Sequence, residues 1–132
     1  MDSPVLFHLT CGHGRKGIGR SGGILPGRPH PWGIFPGLVW MTTDPDAGAE
    51  ALGLTSEILP CVRTRFVYRV AATAAGPVPW VGSPYRTREA IEALEGPEQR
   101  PALWWVSPHS VRGRLVRVRA AADPYTSEAP PD

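Results

Sequence analysis

Apolar residues fall into short runs divided by Gly- and Pro-rich segments. Val5-Leu6-Phe7-His8-Leu9 is nearly continuously apolar, the pattern of a strand buried on both faces, and Thr10 closes it. Leu38-Val39-Trp40-Met41-Thr42 forms a second such run, ended by Thr43-Asp44-Pro45-Asp46. That ending doubles as a helix start and predicts a short helix over 47–52, with Gly53 as its terminator. From 63 to 70 the period is two. Val62, Thr64, Phe66, Tyr68 and Val70 share one face and Arg63, Arg65, Val67 and Arg69 the other, a half-exposed strand with an arginine-bearing side. Residues 87–95 have a helical period, with Ala90, Ile91 and Leu94 on one stripe and Glu89, Glu92 and Glu95 mostly outside it. Residues 102–107 and 114–119 read as the last two strands, and 77–82, around Trp80, as a turn.

The glycines complicate one element. Nine of the fifteen lie between Cys11 and Gly37. A helix over 15–20 has little intrinsic support there, because Gly17 and Gly19 each cost about 1 kcal/mol against Ala. Ser21-Gly22-Gly23 would stop it. At least five short strands with two or three short helices make this an α+β domain with long Gly/Pro-rich loops.

Composition narrows the class. At 132 residues the chain has the length of one domain, expected over 1–120 with a flexible tail over 121–132. No apolar run approaches the ~20 residues of a membrane span. Met1-Asp2-Ser3-Pro4 lacks the basic start and apolar stretch of a secretory signal, so a cytoplasmic protein is expected. A hydrophobic content of 42% excludes a fully disordered chain. Fifteen Gly and sixteen Pro without a fixed period exclude collagen and repeat arrays. Thirteen Arg stand against one Lys, Lys16. This reads either as codon usage or as a preference for planar, bidentate contacts with phosphate or carboxylate. A formal charge of +2 is too small to argue for nucleic-acid binding alone.

Two strand ends carry candidate chemistry. His8 and Thr10, two residues apart, offer an imidazole and a hydroxyl to one side of a strand, a pair that can hydrogen-bond a ribose diol or phosphate. The plainer alternative is a structural strand histidine. Trp40 and Thr42 repeat the arrangement on the second strand, where an exposed indole would stack on a flat heteroaromatic ring. Its alternative is a core tryptophan beside Leu38 and Val39.

The order His8-x-Thr10, a short helix, Gly22-Gly23-Ile24-Leu25-Pro26, then Trp40-x-Thr42 resembles the N-terminal half of the ADP-ribosyltransferase superfamily, over roughly residues 5–55. The resemblance implies that His8 and Thr10 contact the nicotinamide ribose of NAD and that Trp40, with Thr42 beside it, packs on the nicotinamide, where Tyr is usual. It implies NAD as a substrate and transfer of ADP-ribose to a protein or nucleic-acid acceptor. The Glu that such transferases carry on a late strand is missing: Leu103-Trp104-Trp105-Val106-Ser107 and Leu115-Val116-Arg117-Val118 contain no carboxylate. Glu57, Glu98 and Gln99 lie in neighbouring loops and nothing selects one, so the catalytic group is unassigned. A non-catalytic binding or interaction protein on the same scaffold is the alternative. RNA 2′-phosphotransferases, a relative using His and Arg instead of that Glu, do not match well enough to carry roles across. The full-length order of Cys11-Gly12-His13-Gly14, Val39 to Thr42, Ala51 to Ser56, Cys61 to Thr64 and Trp104 or Trp105 to Ser107 is similar to that of small actinobacterial-type members.

Other constellations compete. His8, Cys11, His13 and Cys61 are ligand types for a tetrahedral zinc site, but His-x2-Cys-x-His with one distant Cys is not a familiar finger spacing. Zinc stabilisation is therefore open and not favoured. A Cys11–Cys61 disulfide would need an oxidising compartment. A Cys11/His13 nucleophile and a Ser107/His109 pair are neighbours in sequence without demonstrated contact. The segment 12–23 is neither a P-loop nor a dinucleotide fingerprint. Arg112, Arg114, Arg117 and Arg119 form a basic stretch that reads either as a solvated sheet face or as a contact for nucleic acid or an acidic partner.

Overall fold

The computed structural model describes residues 4–27, 33, 36–54, 63–71 and 76–119. Strand β1 (Phe7–Thr10) lies inside the sheet between two neighbours, as its near-continuous apolar run requires. Helix α1 (Gly12–Ser21) follows directly. Then come β2 (Val39–Thr42), β3 (Phe66–Val70), the two-residue β4 (Val78–Pro79) and helix α2 (Arg88–Leu94). A 3-10 turn (Pro101–Leu103) leads into β5 (Trp104–Ser107), and β6 (Gly113–Val118) ends the described chain. The six strands form one antiparallel sheet in the order β4-β5-β2-β1-β3-β6. This is a small α+β domain.

Register sorts the side chains into two cores. His8↔Tyr68, Thr10↔Phe66 and Met41↔Trp105 are cross-strand partners, so these residues emerge on one face. There Leu6, Val39, Met41, Phe66, Tyr68 and Val70 bury together with Ile24 and Val111, and Ile18 of α1 packs on them. The other face carries Leu38, Trp104 and Val106 against Trp80 and Ala90, with Trp40, Leu52 and Leu94 at the margin. Helix α1 thus covers one side and α2 the other.

Several sequence expectations need adjustment. Helix α1 is longer than the 15–20 expected, despite its glycines, because packing against β1 overrides propensity. Gly14 is where the two elements meet: a Cβ there would overlap Thr10 Oγ1. Gly22, at φ 75°, ends the helix as expected. Residues 47–52 are not a helix; turns run over 49–53. Gly48 at φ 97° and Gly53 at φ 67° bracket them, and neither conformation continues a helix. Strand β3 begins at Phe66, because 63–65 turn into it. The expected turn at 77–82 contains β4, whose Val78 and Pro79 pair with Val106 and Trp105. Helix α2 keeps its expected place, with Thr87 as N-cap accepting from Ala90 N at 3.2 Å. The expected tail, 121–132, lies outside the described residues. Among those described, no helix is long and apolar enough to cross a membrane.

Candidate functional site

The sheet parts between its two central strands. β1 and β3 pair along four residues, and β2 and β5 along four, but β1 and β2 pair only at Phe7↔Thr42. Beyond that point the ladder is replaced by a side chain. His8 Nδ1–H donates to the Trp40 carbonyl oxygen at 2.8 Å, spanning the widening gap. A carbonyl only accepts, so this bond places the proton on Nδ1. Burial pushes the His8 imidazole below its ordinary range, against the opposing pull of the Trp40 carbonyl. The ring is therefore neutral at pH 7 and keeps Nε2 as a hydrogen-bond acceptor.

A cavity of about 450 Å³ opens at this split, within the usual range for small-molecule sites. Both central strands, the 52–54 turn, the end of α2 and Trp104 line it, and its walls are mainly apolar. The polar members are His8, Thr42, Arg63 and Gln99. Arg63 is half-buried and has no ion-pair partner among the described residues. Gln99 Oε1 accepts from Gly96 N at 2.7 Å, which leaves its amide group as a donor.

His8, Trp40 and Thr42 are thus brought to one cavity, and Thr10 is not. Thr10 lies against Gly14 of α1, because β1 turns its even-numbered residues toward the helix. The register also sends His8 and Trp40 to opposite faces, so they meet only because the strands separate. Trp40 is half-buried. Its ring lies 5.0 Å from Trp80 and 5.9 Å from Trp104, the latter edge-on. Thr42 is 3% exposed, and its hydroxyl accepts from Asp44 N at 3.0 Å and reaches Asp44 O at 3.3 Å, closing the turn after β2. Its hydroxyl is therefore engaged by the chain itself.

No family model, curated protein or solved structure matches this chain.

The carboxylate sought on a late strand has no counterpart in the cavity: among the described residues, no Asp or Glu lines it. Glu57 lies outside them, and Glu98 is exposed. Glu95 is nearby but committed. Its Oε2 accepts from Trp80 Nε1 and Arg86 Nε, both at 2.8 Å, and Oε1 from the terminal guanidinium nitrogen at 2.9 Å. Sequence reasoning left Glu95 on an outer helix face and did not assign this clamp. The signal lay in an unusually placed turn tryptophan and an arginine just before the helix cap.

The remaining constellations are less supported. Among the described residues no three His, Cys, Asp or Glu side chains could hold a metal ion. Cys61, a member of the suggested zinc set and of the suggested disulfide, lies outside them. Ser107 Oγ donates to His109 O at 2.9 Å and accepts from His109 N at 3.1 Å, a local turn and not a hydroxyl–imidazole pair.

Proposed function

We propose that this chain is an NAD- or nucleotide-binding protein of ADP-ribosyltransferase type, with the nicotinamide-ribose half held where β1 and β2 separate. The observation supporting this reading is the cavity itself: His8 and Trp40, 32 positions apart in the chain, line one hollow of nucleotide size. His8 Nε2 accepts from a ribose hydroxyl, and the half-buried Trp40 indole packs on the nicotinamide ring. Arg63 supplies the positive charge that a diphosphate requires. In the transfer, the bond from the ribose carbon to the nicotinamide nitrogen breaks, the acceptor nucleophile bonds to that carbon, and nicotinamide leaves.

A second reading, a binding protein without transferase chemistry, is favoured by one observation: among the described residues, the charged side chain lining the cavity is a cation, Arg63, where an oxocarbenium-like centre calls for an anion. Labelled NAD incubated with the protein and cell lysate separates the two. Transfer of label supports the enzyme, and NAD binding without transfer supports the binder.

Both readings share a binding prediction. Calorimetry should detect NAD binding by the unaltered protein, and His8→Ala or Trp40→Ala should abolish it while circular dichroism stays that of the folded domain. Trp40→Phe, which keeps a ring against Trp80, should bind measurably but more weakly. Absence of any NAD affinity in the unaltered protein would end the proposal.

A further inference from the structure

The arginine-bearing side of β3 continues onto β6. Arg69 and Arg114 are direct cross-strand partners, so both guanidinium groups leave the same face. The next pair beyond the strands follows the same alternation: Ala71 N bonds to Arg112 O at 2.8 Å, while Val111 is buried in the core of the opposite face. Arg112 therefore joins Arg69 and Arg114, and all three are exposed.

Plain alternation would send Arg117 and Arg119 to the other face, since an odd number of residues separates them from the first pair. A one-residue bulge at Val116 prevents this. The register steps from Val67↔Arg117 to Tyr68↔Leu115, so one extra residue resets the phase. Arg112, Arg114, Arg117 and Arg119 thereby share one side of the sheet.

The two halves of this row differ in what they meet. Arg117 and Arg119 both reach the Asp46 carboxylate, and Arg119 also donates to Pro45 O, which straps the 44–46 turn onto β6. Arg69, Arg112 and Arg114 meet no carboxylate among the described residues. Two like charges set directly across a strand pair, about 5 Å apart at Cβ, destabilise a sheet unless something neutralises them. The face is also that of the cavity: Phe7 lines the cavity and pairs with Arg69 on β3 and Thr42 on β2.

We propose that Arg69, Arg112 and Arg114 form a contact surface for the phosphate backbone of a nucleic acid. The exposed groups are planar, bidentate donors suited to phosphate. Exposed arginine also anchors protein interfaces, so an acidic protein partner is the competing occupant that the polyglutamate arm of the test below decides. A nucleic-acid strand supplies closely and regularly spaced acceptors, with one charge per ~3.4 Å of rise. The contacts read charge and spacing, not sequence.

The surface is testable without reference to the cavity's ligand. The full chain, without NAD, is titrated into a fluorescein-labelled 20-nucleotide RNA and a 20-base-pair DNA duplex over a range of salt concentrations. Anisotropy reports binding. Arg69→Gln/Arg114→Gln is compared with Lys16→Gln/Arg20→Gln, which removes the same charge from exposed positions on α1. We expect the first variant to lose at least tenfold in affinity near physiological salt. Its slope of log affinity against log salt for the single strand should fall by about 1.4, two contacts at about 0.7 each. The second should change affinity less than threefold. Equal losses in both variants, no binding of either nucleic acid at about 50 mM salt, or equal affinity for polyglutamate of matched charge would each overturn the proposal, the last in favour of an acidic protein partner.

Discussion

Trp80→Ala is expected to destabilise the domain by about 3–5 kcal/mol, the range for emptying a buried aromatic site. Trp80 is fully buried, at 0% exposure. Its ring packs against Trp40 and Trp104, its backbone N–H donates to Trp104 O at 2.8 Å, and its indole N–H donates to Glu95. Truncation removes the packing and leaves a carboxylate at the rim of the void. Trp80→Phe separates the two contributions. It keeps a ring in place but loses the bond to a charged acceptor, for about 1.5–3 kcal/mol. Urea denaturation of both variants measures this: equal effects would assign the whole cost to the lost hydrogen bond, and a Trp80→Phe variant as stable as the unaltered protein would assign it to packing. Because Trp80 supports the Trp40 ring, Trp80→Phe should also weaken NAD binding without touching the cavity wall.

The second large effect is on acid stability, in two windows of the same sign. The hydrogen bonds from Arg86 hold the Glu95 carboxyl below its usual range; burial opposes them, and Trp80 adds to the depression. A depressed folded value means the unfolded chain binds the proton first. Stability is therefore fully present above the ordinary carboxyl value near 4.5 and is lost as pH falls through the folded value. His8, lowered by burial, acts likewise at higher pH. The unfolded imidazole takes a proton below about 6.5 while the buried one resists, so stability begins to fall there. The expected profile of unfolding free energy against pH declines first below about 6.5 and again below about 4.5. Glu95→Gln should flatten the lower decline, and His8→Gln the upper. An unchanged lower decline in Glu95→Gln would show that other carboxylates carry it, Asp46 being the first to examine since Arg117 and Arg119 also lower its carboxyl.

The readable parts of this sequence were those with a local cause. β1 and β2 announce themselves by apolar runs, α2 by its stripe and Thr87 cap, and the face of β3 by alternation through Arg69. The parts that stayed hidden depend on distant contacts. Nothing local states that β1 and β2 pair at a single position, yet that one fact opens the cavity. Gly17 and Gly19 argued against α1, but Gly14, further up the helix, is what allows it to settle on Thr10. Trp80 looked like a turn residue because its partners, Trp104 and Glu95, lie fifteen or more positions away. The helix-start signal at 43–46 suggested a helix over 47–52, but Gly48 within it stands at positive φ, and turns follow instead. His8 lines the cavity and Thr10 does not, for another reason. Alternation correctly put them on one side, but that side belongs to α1 for Thr10 and to the strand gap for His8.

The tryptophans offer the most direct measurement. A ¹⁵N-labelled sample shows a separate indole N–H signal for each Trp, and titration with NAD reports which rings the ligand meets. Trp40 and Trp104, which line the cavity, should shift together and saturably, while Trp105, on the opposite face, stays in place. Indole signals that do not move at millimolar NAD, or a shift confined to Trp105, would contradict a nicotinamide site at the parting of β1 and β2.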